Sequence, residues 1–316
     1  MTFFIKFDRI ADMNVPEKLQ VLQDISGKTQ TQLASELVVS FAAFNNWWTG
    51  KAVPRRDAET RINKLLSSYG VRTEDQNSIF EVKKNLISDL SKKNKNILQK
   101  ILSRKDLIDE LSLQITYNSN AIEGSTLSIA DTASVIFDKK TLGNKTLNEQ
   151  LEAKNHDRAF RYLLEALSKK QPVKELLAKE LHTILMAGIR DDAGRYRTHP
   201  VRITGSFVPT ANYLKVPILM KELFAQKKSN DYLKDSAHFH ADFEKIHPFS
   251  DGNGRVGRLL LIGMLLAKNT PPAIIKRKKR PEYYKALQQA QLKEQYEAIE
   301  LFICNAVLDG YKIIAD

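Results

Sequence analysis

The sequence predicts an all-α protein that carries one small β-hairpin and begins with a helix-turn-helix-like segment. Three observations lead there. Apolar residues recur at spacings of three and four through "RAFRYLLEALSKK" (158–170) and "KELLAKELHTILMAGI" (174–189). Strand-like alternation occurs only in "VRITG" (201–205), where Gly205 offers a turn, so a hairpin is expected at about 195–209. The only cysteine among 316 residues is Cys304, within the apolar "LFICNAV", which excludes a disulfide framework and a cysteine-based metal site.

Segments follow in chain order. Residues 1–70 form the first expected domain. Thr29 is placed to cap a helix running through Leu33, Ala34 and Leu37, and a turn follows near Val38–Ser40. Ser40 caps a second helix that Gly50 and Pro54 stop. The pieces "TQTQLA" and "NNWWTGK" resemble helix-turn-helix domains of the phage-repressor type, whose second helix enters the major groove. That resemblance leaves Ser40, Ala42, Ala43, Asn45 and Asn46 for base edges, with Lys51, Arg55 and Arg56 near phosphates. The segment holds nine Lys/Arg against seven Asp/Glu, and its would-be reading face lacks arginine. DNA binding and a protein-interaction or dimerisation module therefore both stand. Residues 71–105 are polar and lysine-rich without a Gly/Ser/Pro cluster, which reads as a helical connector. The remainder, 106–316, is expected to be one helical domain.

Charge and composition narrow the class. Lys and Arg exceed Asp and Glu by 49 to 37, a net charge of +12 that favours anionic ligands or polyanionic partners. The densest run, "KRKKR" at 276–280, suits phosphate or RNA but reads first as a solvated loop. No apolar run reaches the roughly 18 residues of a membrane span, and "MTFFIKFDRIADMN" lacks the pattern of a secretory leader. A cytoplasmic, bacterial-type protein is the expectation.

The chemistry concentrates in "HPFSDGNGRVGR" (247–258), directly before the apolar "LLLIGMLLA". Gly252, Asn253 and Gly254 allow a tight loop with exposed N–H groups. The helix that follows begins with N–H groups lacking internal partners, so phosphate suits that end. Arg255 and Arg258 lie three apart on one side of that helix and can grip further phosphate oxygens. Asp251 is a hard oxygen ligand suited to Mg²⁺ bridging phosphates. His247 is the side chain whose pKa suits proton transfer near neutrality. One base, one metal ligand and one anion cradle describe nucleotidyl or phosphoryl transfer to a hydroxyl. His240, Glu244 and His247 also share one helical face with zinc-ligand spacing, but zinc would leave the glycine loop and both arginines unused. There His240 reads as a core histidine and Glu244 as a surface or helix-pairing residue. His156, His182, His199 and His238 show no local constellation.

The string resembles the Fic motif, H-P-F-x-(D/E)-G-N-G-R-x-x-R, at every defined position: His247, Pro248, Phe249, Asp251, Gly252, Asn253, Gly254, Arg255 and Arg258. The likeness extends over about residues 105–300, through "GRYR", "VRITGS" and "VP" before the motif and "PEYYKAL" after it. It implies a helical Fic core and a protein adenylyltransferase that moves AMP from ATP to a Ser, Thr or Tyr hydroxyl of a target, and to itself. His247 would deprotonate that hydroxyl and Asp251 would hold Mg²⁺. Gly252, Asn253 and Gly254 would form the anion hole, Arg255 would contact phosphates, and Arg258 would hold the γ-phosphate. Phe249, with Pro248, would anchor the loop. The hairpin would be the flap that pairs with the target's main chain. Tyr283 and Tyr284 fall where relatives line the adenine pocket, although core packing explains them equally.

A second string, "SNAIEGS" (119–125), resembles the family's inhibitory motif, (S/T)-x-x-x-E-(G/N), at Ser119, Glu123 and Gly124. Glu123 would then occupy the Arg258 fork and misalign ATP. An ordinary helix end at Gly124 is compatible with that role. Other chemistries stay open on the same fold: removal of AMP, phosphoryl transfer, transfer of another nucleotidyl group, or a DNA-binding regulator that senses nucleotide. A homodimer is admitted; the target protein stays unnamed.

Overall fold

The computed structural model describes residues 14–69, 79–203 and 208–315. By internal packing the chain divides into two units, Met1–Leu90 and Ser91–Asp316.

In the first unit, α1 (Val15–Ser26), α2 (Gln30–Glu36), α3 (Phe41–Trp48) and α4 (Arg56–Ser68) enclose one small core. The starts are set by side chains that accept the helices' orphan N–H groups. Asn14 and Glu17 form a capping box on α1, Thr29 and Gln32 form another on α2, and Ser40 accepts from Ala43 at the start of α3. Gly27 ends α1 at φ 66°, where a left-handed residue closes the last turn. Leu19, Leu22, Leu33, Phe44, Ile62 and Leu66 are fully enclosed. The ammonium of buried Lys18 is matched by Glu59 at 2.9 Å.

The second unit begins within α5 (Ile79–Lys93) and continues through α6 (Ile97–Ser103), α7 (Lys105–Ile122), α8 (Ile129–Ile136), α9 (Leu147–Ser168) and α10 (Glu175–Leu185). It is completed by α11 (Val216–Ala225), α12 (Tyr232–Ile246), α13 (Asn253–Leu266), α14 (Arg280–Lys293) and α15 (Glu297–Ala315). Its centre is α13, which is buried on all sides because α7, α9, α10 and α12 all pack on it, and which is apolar from Leu259 onward. Gly257 and Gly263 admit those close approaches. A Cβ on Gly257 would lie 2.6 Å from Glu244 Oε1, and one on Gly263 would lie 3.1 Å from Leu163.

The all-α expectation holds: among the described residues there is no strand. The hairpin expected at about 195–209 is therefore not present in its described part, and Gly205 lies outside the described residues. The reason is visible in the hydrogen bonds. Carbonyls of His199 and Ala211 are taken by the Arg197 side chain, and that of Val201 by Thr210 Oγ1 at 2.8 Å, in place of a backbone ladder.

Both tryptophans of the chain, Trp47 and Trp48, lie on α3 beside fully buried Phe44. Phe44→Ala should therefore destabilise the first unit by about 3–5 kcal/mol. Urea titration followed by tryptophan fluorescence should show that midpoint falling while the helical transition of the second unit, read by circular dichroism, keeps its position.

Candidate active site

Helix α12 ends at His247, whose backbone turns left-handed at φ 53° and ψ 63°. That turn brings the imidazole Nδ1 to 3.1 Å from the Glu244 carbonyl. A carbonyl only accepts, so Nδ1 carries the proton and Nε2 presents its lone pair. Burial pushes the His247 pKa below its ordinary 6.5, and the Glu244 contact pulls it back part of the way.

The loop after His247 is closed by one side chain. Asn253 accepts from the Phe249 N–H at 2.8 Å and donates to the Phe249 carbonyl at 2.9 Å. Phe249 is wholly buried and stacks on His182, with ring centroids 3.8 Å apart and planes 6° apart. Gly252 sits at φ 74°, and a Cβ there would meet Met186 Cε at 2.3 Å, so the turn requires glycine twice over. Helix α13 starts at Asn253 without a side-chain cap, which leaves its first N–H groups available to an anion.

Into that end projects Glu123, from the C-terminal end of α7. A Cβ on Gly254 would lie 2.2 Å from Glu123 Oε1, so the carboxylate rests directly on the first turn of α13. The same oxygen accepts from Arg258 at 2.7 Å. Arg258 is 5% exposed and also donates to Ser119 Oγ at 2.8 Å and to the Ser119 carbonyl at 3.1 Å. Gly124 follows at φ 107° with open space around its Cα.

Arg255 behaves differently from its expected free grip on phosphate. The three-residue spacing does place both arginines on one side of α13, but separate carboxylates divide that side. Arg255 is enclosed, paired with Glu152 of α9 at 2.8 Å and reaching Asp251 at 3.5 Å. Asp251 is half exposed. One of its oxygens accepts from the Gly252 N–H at 2.6 Å, and the other has no protein partner among the described residues. Tyr283 is likewise removed from any open pocket: it is fully enclosed, its hydroxyl 2.6 Å from His240 Nε2. Tyr284 stays partly open, with the Arg280 guanidinium 5.1 Å from its ring. Lys51, Arg55 and Arg56 are exposed between α3 and the start of α4, in the other unit.

Four residues of the site, Arg197, His182, Asp192 and Glu152, carry no local signal in sequence. Arg197, 3% exposed, donates to the carbonyls of His247 (2.7 Å), His199 (2.9 Å), Ala211 (2.5 Å) and Ile246 (3.4 Å). Its own N–H donates to the Pro248 carbonyl at 2.9 Å. His182 receives the Gly194 N–H on Nδ1 at 2.8 Å, so Nε2 is the protonated nitrogen that donates to the Asp251 carbonyl at 3.1 Å. Asp192 accepts from Ser250 Oγ at 2.5 Å, and Glu152 holds Arg255. Of the surface and helix-pairing places its sequence position allows, Glu244 takes the second, buried against Gly257 of α13. Burial pushes its carboxyl up to about 8, against the pull of Arg258. Among the described residues no group of three or more His, Cys, Asp or Glu could hold a metal ion, so the zinc spacing of His240, Glu244 and His247 closes on no site.

The comparisons now apply. The Fic/DOC family model matches residues 172–265, a stretch that contains the whole loop and α13 up to Leu265. That stretch is similar to a Fic domain. The chain is 31% identical over 196 residues to the protein adenylyltransferase Fic of Nematostella vectensis, covering 60% of this chain and 45% of that protein. It thus spans less than half the length of the curated relative it matches. Among solved structures, a Fic family protein from Desulfovibrio desulfuricans superposes with TM-score 0.62 at 26% identity, over 74% of this chain and 73% of that one. A Fic-domain signalling protein from Bacteroides thetaiotaomicron shares the fold with TM-score 0.62 at 24% identity, over 73% and 96% of the two chains. No helix among the described residues is long and apolar enough to cross a membrane.

Glu244 makes the fold's stability depend on pH. Its folded pKa of about 8 lies above the ordinary 4.5, so the folded state binds the extra proton. The stabilisation is complete below about pH 4.5 and is lost as pH rises through 8. Glu244→Gln should flatten that decline by on the order of 2–4 kcal/mol between pH 5 and 9, measured by urea unfolding at each pH.

Proposed function

We propose that this chain is an autoinhibited protein adenylyltransferase that moves AMP from ATP onto a Ser, Thr or Tyr hydroxyl of a target protein, and onto itself. The observation that carries the reading is the Nδ1-tethered His247 beside the uncapped start of α13. A tethered Nδ1 leaves Nε2 as the only nitrogen able to take a proton from the target hydroxyl. The freed oxygen attacks the α-phosphorus of ATP, the bond to the bridging oxygen breaks, and pyrophosphate leaves. Backbone N–H groups at Asn253 and Gly254 offer the cradle for phosphate charge, the Gly252 N–H being given to Asp251 in this structure, and Arg258 offers a fork for the terminal phosphate. Arg255, already bound by Glu152, acts by steadying Asp251 and adding positive charge behind the cradle.

The Asp251 carboxylate has a free, outward oxygen, which fits Mg²⁺ held by one protein oxygen together with substrate phosphates. Bound there, Mg²⁺ would neutralise charge on the α- and β-phosphates. The flap role falls to the segment around 195–209, by main-chain contact with the target. Glu123 supports the autoinhibited reading, because its carboxylate lies where phosphate charge belongs and holds Arg258 at 2.7 Å.

Labelling with α-³²P-ATP and Mg²⁺ tests this reading. Losing a charge-assisted contact of about 1.5–3 kcal/mol predicts that Glu123→Gly raises label roughly 10–100-fold over wild type. Adding His247→Ala should remove about 10²–10⁴-fold of that gain. The base must be deprotonated and its pKa is lowered, so the acid limb of the Glu123→Gly rate should have its midpoint below 6.5. No label from any variant would sink the proposal.

For the first unit we propose a DNA-contacting role. It rests on an exposed α3 face at Ala42 and Asn46 beside the unpaired cations Lys51, Arg55 and Arg56. Replacing those three by Ala should abolish a mobility shift that wild type gives at low salt. A wild type that shifts no duplex would leave the interaction-module reading in its place.

A further inference from the structure

Two cavities of the second unit meet behind the active-site loop. One, of about 440 Å³, runs from Pro209–Ala211 over the end of α11 to Ile246, the residue before His247. The other, of about 620 Å³, continues past α11 toward the end of α13. They share Leu223 and Gln226 as a common wall. The larger cavity has an apolar floor that includes Val173, Leu223, Met264 and the edge-on pair Phe224 and Phe239, whose centroids are 5.1 Å apart. Its polar floor groups are already satisfied: Tyr232 hydroxyl with Thr270 at 2.8 Å, and Ser236 Oγ with the Tyr232 carbonyl at 2.7 Å. Nothing there reads a base edge or a sugar. The rim carries Lys174, Lys227, Lys228 and Lys268, all exposed and none paired with a carboxylate among the described residues. Against them stands Asp235, which accepts from Ser229, while His238 is taken by Glu300 at 2.6 Å; the smaller cavity carries Lys245 beside Glu222 and Asp242, the last accepting from the Tyr296 hydroxyl at 2.9 Å.

We infer that this pair of cavities is a docking groove for an acidic segment of the target protein, with one apolar or aromatic side chain seated on the Phe224–Phe239 floor and carboxylates on the lysine rim. A floor without free polar atoms accepts only an apolar body, and four unmatched ammonium groups call for negative charge. The extent is that of a polypeptide: the two cavities share Leu223 and Gln226, and the smaller reaches Ile246, the residue preceding His247, so a segment spanning both comes next to the catalytic loop. The inference rests on the protein-modifying reading above, but binding tests it separately from catalysis.

The probe is poly(Glu,Tyr), an acidic copolymer with aromatic anchors and hydroxyls, set against poly(Lys,Tyr). Isothermal titration without nucleotide should show wild type binding poly(Glu,Tyr) and ignoring poly(Lys,Tyr). Lys227→Glu with Lys228→Glu should weaken that binding by about tenfold or more. The equal charge change Arg277→Glu with Lys278→Glu, on the separate basic run, should weaken it by less than about twofold. Phe224→Ala should also weaken it, which separates the apolar floor from bulk attraction to a chain of charge +12. In the Glu123→Gly background, the same lysine reversal should raise KM for labelling of poly(Glu,Tyr) and leave kcat and ATP binding unchanged. Equal weakening by both charge pairs, or no binding by wild type, would overturn the groove. Binding as expected with no label on any acceptor would instead count against the adenylyltransferase reading and leave the groove standing.

Discussion

The second unit is organised around a guanidinium that has to be neutralised inside the protein. Arg258 is 5% exposed and sits one turn into a helix whose own N-terminus adds positive character. Burying such a charge without a partner costs several kcal/mol. Two carboxyls lie near enough to act on it. Glu244 is driven toward its protonated form by burial and so contributes little negative charge near neutrality. Glu123 therefore carries the compensation, from a helix terminus that remains one-third exposed. The neutralising group is the one most able to leave, as the proposed exchange with a phosphate of ATP requires.

The loop itself is held by different contacts. Asn253 closes it from within, and Arg197 gathers carbonyls from 246, 247, 199 and 211. His182 fixes its floor, and Asp192 holds Ser250. None of these reaches α7. A displacement of Glu123 can thus free Arg258 and the first turn of α13 while His247 keeps its tether. The contacts that hold the loop and the contact that neutralises Arg258 sit on separate elements, as the proposed autoinhibition requires.

This separation also explains what was legible in the sequence. The loop falls within 247–258, where turn and helix-start requirements are local, so its glycine turn and the helix that follows could be read directly. Helix periods and the caps at Thr29 and Ser40 are equally local, and the described helices follow them. Arg197, His182, Asp192 and Glu152 act across separations of about 50 to 103 residues, as in Arg197 with His247 and Glu152 with Arg255. No spacing rule connects such positions. For Tyr283 and Glu244 the sequence leaves two places open for the same reason: helical phase gives a face, and only the packing of α12 against α13 and α14 shows that the face is interior. The hairpin failed differently, because alternation in "VRITG" encodes extended backbone but not a partner, and a side chain took the carbonyls a partner strand would use.

Burial also sorts the histidines by role. Desolvation holds His156 and His240 down to about 3 and His182 down to about 4, so each is neutral and serves as packing or as a fixed donor and acceptor. His240 spends Nε2 on Tyr283, and His182 spends both nitrogens on backbone. His238 is stacked on Tyr296 and bound by Glu300 at the rim of the lysine groove. His247 alone combines partial exposure, a left-handed turn that lifts it out of α12, and one nitrogen fixed by its own helix. A general base must be neutral and open to its substrate at the same moment. Burial lowers His156, His182, His240 and His247 alike, and of these four only His247 keeps partial exposure, which suits it to the proposed role.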